Sequence, residues 1–77
     1  MHILQILSLR IQQLAAEREK LVSRILIDCN TNRNLLYDME KKGAFPSIDK
    51  IYAIADYFDV SVDYLLGRTD NPGSHKN

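Results

Sequence analysis

Tryptophan is absent from the 77 residues, cysteine occurs once, proline twice and glycine three times. A single thiol, Cys29, excludes an intramolecular disulfide and points to a reducing compartment, where it reads as a small buried apolar residue. No Gly or Pro stands between Met1 and Lys42, so no helix-breaking residue divides the first half of the chain. Long apolar runs are missing as well. The opening "MHILQILSL" is interrupted by Arg10, Gln12 and Gln13 and has no basic stretch before it. It is too short to span a bilayer and lacks the layout of a secretion signal, so the expected location is the cytoplasm. The two histidines, His2 and His75, lie at opposite ends with no neighbouring His or Cys, which argues against a metal site. No Ser/His/Asp set, Cys/His pair, carboxylate pair in a plausible pocket or Gly-rich phosphate loop is present, so no enzyme activity, cofactor or small-molecule substrate is expected.

What is there is an ordinary soluble composition, 45% apolar and 26% charged, in a chain long enough for one domain. At this size a single core leaves only ~3 to 5 kcal/mol of net stability. Net charge is zero but unevenly placed: residues 1–42 hold seven Lys/Arg against five Asp/Glu, and residues 43–77 hold three against five. Non-specific attraction to phosphate is therefore weak, and affinity for DNA would need well-placed contacts and two copies acting together.

The apolar periodicity is helical throughout. Ile3, Leu7, Ile11, Leu14 and Ala15 form the stripe of a first helix over residues 3–18, with Leu4 flanking it and Ile6 and Leu9 off it. Ile25, Leu26 and Cys29 mark a short second helix. Asn30 to Asn32 make a turn, since Asn tolerates a left-handed backbone, and Asn32 caps a third helix over residues 32–42 that stops at Gly43. Ser47 caps a fourth helix with Asp49 in its first turn and a buried stripe of Ile48, Ile51, Tyr52, Ala55 and Phe58. Ser61 caps a fifth, very short helix carrying Val62, Leu65 and Leu66 and ended by Gly67. The domain is assigned to residues 1–67. Residues 68–77, "RTDNPGSHKN", have no apolar period and read as a mobile polar tail.

The third helix carries the chemistry. Leu36 and Met39 point one way, and Asn34, Tyr37, Asp38 and Lys41 point the other, with Arg33 and Leu35 on the flanks. Amide, phenol and ammonium groups on one outward face suit base edges and phosphates in a major groove. The plainer readings stand beside this one. Asn32 is first a cap and second a base reader, whereas Asn34 is the better candidate for two-pronged contact with adenine. Tyr37 is balanced between core edge and DNA contact. Asp38 fits only if it accepts from a cytosine amino group. Tyr52, Tyr57 and Tyr64 share the spacing of core residues, and packing is their expected job.

From about Arg10 to Pro72 the sequence resembles the Cro/C1-type (XRE family) helix-turn-helix domains of phage repressors and bacterial regulators. "PSIDKIYAIADYFDVSVDYLLGRTDNP" is similar to the segment that closes the domain in many regulators of Gram-positive bacteria and their phages, and "NRNLLYDMEKKG" to the recognition helix of the same group. The resemblance implies an all-α, five-helix lambda-repressor-like bundle. Its second and third helices would form the DNA-binding unit of a symmetric homodimer acting as a repressor-like regulator on double-stranded DNA. The DNA-contacting set is then Arg24, Asn32, Arg33, Asn34, Tyr37, Lys41 and Lys42. The chain departs from that pattern at Glu19, where Gly or Asn is common, and at Leu21 and Val22, where a capping Ser/Thr and a phosphate-contacting Gln are common. "AAEREKLVSRILIDC" can therefore also be read as one continuous helix. A different functional class, a protein-interaction module such as an antitoxin or anti-repressor partner, would use the broad apolar surface of the first helix instead.

Overall fold

The computed structural model describes residues 2–73. It has five helices: α1 (Ile3–Glu17), α2 (Val22–Asp28), α3 (Leu35–Lys42), α4 (Ile48–Phe58) and α5 (Val62–Leu65). No strand occurs among the described residues. The all-α expectation holds, and the arrangement is consistent with a small helix-turn-helix bundle. α1 packs against α2, α3 and α5, and α4 packs against α5. The centre is filled by Leu7, Ile11, Ile25, Leu26, Ile51, Ile54, Phe58 and Leu65, each essentially without solvent exposure.

α1 begins at His2, whose Nδ1 accepts the Leu4 N–H at 3.1 Å while Gln5 Oε1 accepts the His2 N–H at 3.2 Å. This is a capping box with an imidazole where a hydroxyl is usual. The buried stripe runs Leu4, Leu7, Ser8, Ile11, Leu14 and Ala15. Ile3, expected inside, is 39% exposed, and Leu4, expected at the margin, takes its place. The cause is rotational: with Leu4 inside, Leu4, Ser8, Ile11 and Ala15 share one face with Leu7 and Leu14, leaving Ile3 outside the arc. α4 departs from expectation in the same way. Ile51, Ile54, Ala55 and Phe58 are buried, whereas Ile48 and Tyr52 are exposed by more than half.

Helix ends reveal how a glycine-poor chain turns. Every helix is followed by a residue in the left-handed backbone region: Glu19, Asn30, Gly43, Asp59 and Gly67. Only two of the five are glycine. After α1, Lys20 N–H donates to Ala15 O and Glu19 N–H to Ala16 O, both at 3.1 Å. Thr31 to Leu26 with Asn30 to Ile27, Val60 to Ala55 with Asp59 to Asp56, and Arg68 to Asp63 with Gly67 to Tyr64 repeat that pair of bonds. These are Schellman closures, which satisfy carbonyls that the helix end leaves open. A continuous helix through residues 18–21 is thereby overturned: α1 stops and α2 starts from Leu21, which has extended backbone and no side-chain capping bond.

The expected caps are only partly made. Ser61 Oγ accepts the Tyr64 N–H at 2.9 Å. Ser47 holds the capping backbone conformation without a side-chain bond.

The segment after α5 makes several hydrogen bonds to the bundle. Arg10, its side chain 16% exposed, donates through Nη1 to the Tyr64 and Thr69 carbonyls at 2.7 Å, and through Nη2 to Asp70 Oδ1 at 2.8 Å. Its guanidinium lies 4.1 Å from the centre of the Tyr64 ring. Pro72 O accepts the Ser61 N–H at 2.8 Å. A charged side chain with this many acceptors links Thr69 and Asp70, within the stretch read as a polar tail, to α1. The rest of the expected tail, 74–77, lies outside the described residues.

Candidate nucleic-acid interface

α2, the turn from Asn30 and α3 follow one another as a helix-turn-helix. The turn has two local devices. Asn30 is left-handed, as its side chain allows, and Asn32 Oδ1 accepts the Asn34 N–H at 2.8 Å. A third is distant in sequence: Lys50 Nζ of α4 donates to the Asn30 carbonyl at 2.6 Å. Nothing near Asn30 announces this bond, because its donor is twenty residues away. Cys29, at the end of α2, is buried, with its Sγ 3.8 Å from Ala53 O. Burial, assisted by the nearby Asp28 carboxylate, pushes its thiol above the ordinary value, so it is neutral near pH 7.

α3 is held by Leu36 and Met39, both buried, with Leu35 partly buried against the same core. Its regular part begins at Leu35, three residues later than the expected boundary at residue 32. Asn32, Arg33 and Asn34 therefore belong to the turn that feeds the helix. The expected cap is therefore not made: the N-cap position is taken by Asn34, without a side-chain bond, Asn32 Oδ1 instead closes the turn before it by accepting the Asn34 N–H, and Asn34 O accepts the Asp38 N–H at 2.9 Å. Gly43, left-handed at φ +67°, ends the helix as expected.

The candidate residues gather on the solvent side of this unit. Asn32, Arg33, Asn34, Tyr37, Lys41 and Lys42 are all exposed, and Arg24 is exposed on α2. Tyr37, open to solvent over 57% of its surface, is not a core-edge residue. Tyr37 and Lys41 are one helical turn apart, with Asn34 one turn earlier. Two cations are engaged: Arg24 with Asp28 at 3.6 Å and Lys42 with Asp38 at 3.7 Å. Both are solvent-exposed pairs at long range, worth about 0 to 1 kcal/mol and easily exchanged for phosphate. Pairing with Lys42 also offsets the charge of Asp38, the one carboxylate that looked awkward on this face.

Other side chains singled out in the sequence serve structure. Tyr57 meets Phe58 edge-to-face, and its hydroxyl accepts from Lys20 Nζ at 2.9 Å. Tyr64 lies under Arg10, but Tyr52, expected to pack, is half exposed. His2 is a helix cap, and His75 lies outside the described residues. Among the described residues no cluster of His, Cys, Asp or Glu is suited to a metal ion, and no helix is long and apolar enough to cross a membrane.

Comparison with known proteins gives one informative match. Over 36 residues the chain is 50% identical to an uncharacterized HTH-type transcriptional regulator, YobD, of Bacillus subtilis (strain 168). The similarity is to a helix-turn-helix regulator. It covers 47% of this chain and 30% of that protein, so the match spans less than a third of the relative's length. No family model matches, and no solved structure does.

Proposed function

We propose that this chain is a sequence-specific, DNA-binding regulator of transcription of the Cro/C1 type, repressor-like and acting as a cytoplasmic homodimer without a cofactor. One observation carries the reading. A short helix at the end of a helix-turn-helix buries Leu36 and Met39, with Leu35 partly buried beside them, while Tyr37, Lys41 and the preceding Asn34 stand on its solvent side. A helix of this kind fits the major groove, where Asn34 suits an adenine edge and Arg33 and Lys41 suit guanine or phosphate. The likeness to a helix-turn-helix transcriptional regulator supports the same class. Arg24, Asn32 and Lys42 complete the contact set as backbone-positioning groups.

A neutral chain gains little from bulk electrostatics, so specificity requires two copies whose recognition helices enter successive major grooves, ~34 to 36 Å apart. The test is a mobility-shift titration at several salt concentrations, using duplexes selected from a random-sequence pool. Binding that depends on sequence and falls steeply with salt is the expected result. Indifference to DNA returns the chain to the protein-interaction class.

A further inference from the structure

The backbone of the α2–α3 turn closes locally, but its exit is gripped from elsewhere in the chain. Asn30 N–H donates to Ile27 O and Thr31 N–H to Leu26 O, both at 2.9 Å, which ends α2. The Asn30 carbonyl accepts instead from Lys50 Nζ at 2.6 Å, a short charge-assisted bond. Lys50 stands half-buried in the first turn of α4, beside Ile51, whose side chain is packed in the core. A cation suits this place, because α2 ends at Asp28 and the end of a helix carries partial negative charge.

One peptide plane is held by these bonds. The Asn30 carbonyl and the Thr31 N–H belong to the same rigid amide. With its N–H bonded back to α2 and its oxygen bonded to α4, that amide is fixed at both ends; without Lys50 only the N–H end is tied. The chain leaves it through Asn32, Arg33 and Asn34 into α3. The helix has little else to set its tilt, since its apolar anchors, Leu35, Leu36 and Met39, lie within little more than one turn. Eight residues span ~12 Å, so a tilt of about 10° around those anchors moves either end by ~1 Å. A recognition site tolerates roughly 0.5 Å. Two-pronged contact between an amide and a base edge feels such a shift, whereas a lysine reaching phosphate on its flexible stem absorbs it.

We infer that Lys50 is a positioning residue: from α4 it locks the Asn30–Thr31 amide and so sets the angle at which α3 is presented, giving sequence discrimination without touching DNA. What α3 reads rests on the proposed function; the lock on the turn does not. A direct phosphate contact is the competing use of the same ammonium, and it would draw on a group already engaged with Asn30. The two uses differ in what they change. Loss of a phosphate contact weakens all duplexes alike and lowers the salt dependence, while loss of alignment weakens the chosen sequence alone.

Lys50→Met and Lys50→Arg in the full chain test the lock in two measurements. The first is amide hydrogen exchange of the free protein, followed by NMR. In Lys50→Met the Thr31 amide should exchange at least about 10-fold faster than in the parent, with the Ile11 and Phe58 amides unchanged, and Lys50→Arg should return it toward the parent. Parent-like exchange at Thr31, or an equal rise at all three amides, would overturn the lock. The second is the mobility shift. Lys50→Met should lower the ratio of specific to non-specific affinity by about 10-fold and leave the slope of log affinity against log salt as it was, and Lys50→Arg should recover most of the ratio. A uniform loss with the slope lowered by about 1 would make Lys50 a phosphate contact, and an unchanged ratio would remove it from recognition. An Arg variant no better than Met would overturn the need for a cation at the Asn30 carbonyl. Should Lys50→Met not fold, Lys50→Gln, shorter and uncharged, takes its place with the same expectations. A parent that ignores all DNA would remove the DNA reading, and the exchange at Thr31 would still decide whether Lys50 holds the turn.

Discussion

The turns that close α1 and α2 have the same backbone, a left-handed residue flanked by a pair of Schellman bonds, but different supports. After α2 the left-handed residue is Asn30, a type that visits this region readily, and Asn32 adds a side-chain bond of its own two residues later. After α1 it is Glu19, whose side chain offers no such help. That turn is held from outside. Arg18 Nη2 donates to the Phe58 carbonyl at 2.8 Å with its guanidinium 5.7 Å from the Phe58 ring centre, and Lys20 reaches the Tyr57 hydroxyl. One corner follows mainly from local chemistry, the other from the end of α4.

The largest effect should come from removing the outside support at its root. Phe58→Ala takes away a fully buried ring and should cost ~3 to 5 kcal/mol, enough to unfold a domain of this size. Leu36→Ala, on the buried face of α3, should cost ~2 to 5 kcal/mol. Thermal melts check both, and a parent-like melt for either variant would remove that residue from the core.

Next come the residues that the α2–α3 corner presents. Asn34→Ala should lose ~1 to 3 kcal/mol of specific binding at one base pair per half-site while leaving the melt unchanged. Lys41→Ala should weaken all sequences alike and lower the slope of log affinity against log salt by about 1. Parent-like binding by both variants would show that α3 is not the reader.

The comparison of corners sharpens with glycine. Glu19→Gly relieves a left-handed non-glycine residue and should stabilise the fold by ~0.5 to 1 kcal/mol, the relief being partly offset by the freer unfolded chain. Asn30→Gly should change stability by only a few tenths, about the difference between Asn and Gly at such a position. Arg18→Met should cost about 1 kcal/mol in the parent, for a lost charge-assisted bond, and less when Glu19→Gly is present. Equal gains from the two glycine variants would show the corners to be supported alike.

The smallest effect is a pH dependence. The folded state raises the Cys29 thiol above its ordinary value of 9.0, so its contribution is complete below that pH and is lost as pH climbs through the raised value. In denaturant titrations the stability difference between the parent and Cys29→Ala should therefore stay constant below pH 9.0 and shrink only on the alkaline side, as the parent loses this contribution.

Much of the helix-turn-helix was legible because its signals are local. Asn30, Asn32, Gly43, Ser61 and Gly67 each bias their own backbone or bind within three residues, and the turns stand where those residues predict them. Leu36 and Met39 were legible for a related reason, since a short helix with so few apolar residues has one face to bury. Less legible was the beginning of α3, where the Asn32 bond shapes a turn before the regular helix starts at Leu35.

By itself, then, the sequence determined an all-helical chain, the order of its five helices, the α2–α3 turn and the outward set from Asn34 to Lys41, because periodicity and capping act over a few residues. Tertiary structure decided the break at Glu19, the rotation that buries Leu4 and Ile54 and exposes Ile3, Ile48 and Tyr52, and the fastening of residues 69–72 by Arg10 and Ser61. Each of these depends on partners dozens of positions away: the Phe58 carbonyl for Arg18, the Thr69 carbonyl for Arg10, the shared core for each helix face. An apolar arc wide enough to be buried at more than one angle acquires a definite angle only when the neighbouring helices pack against it.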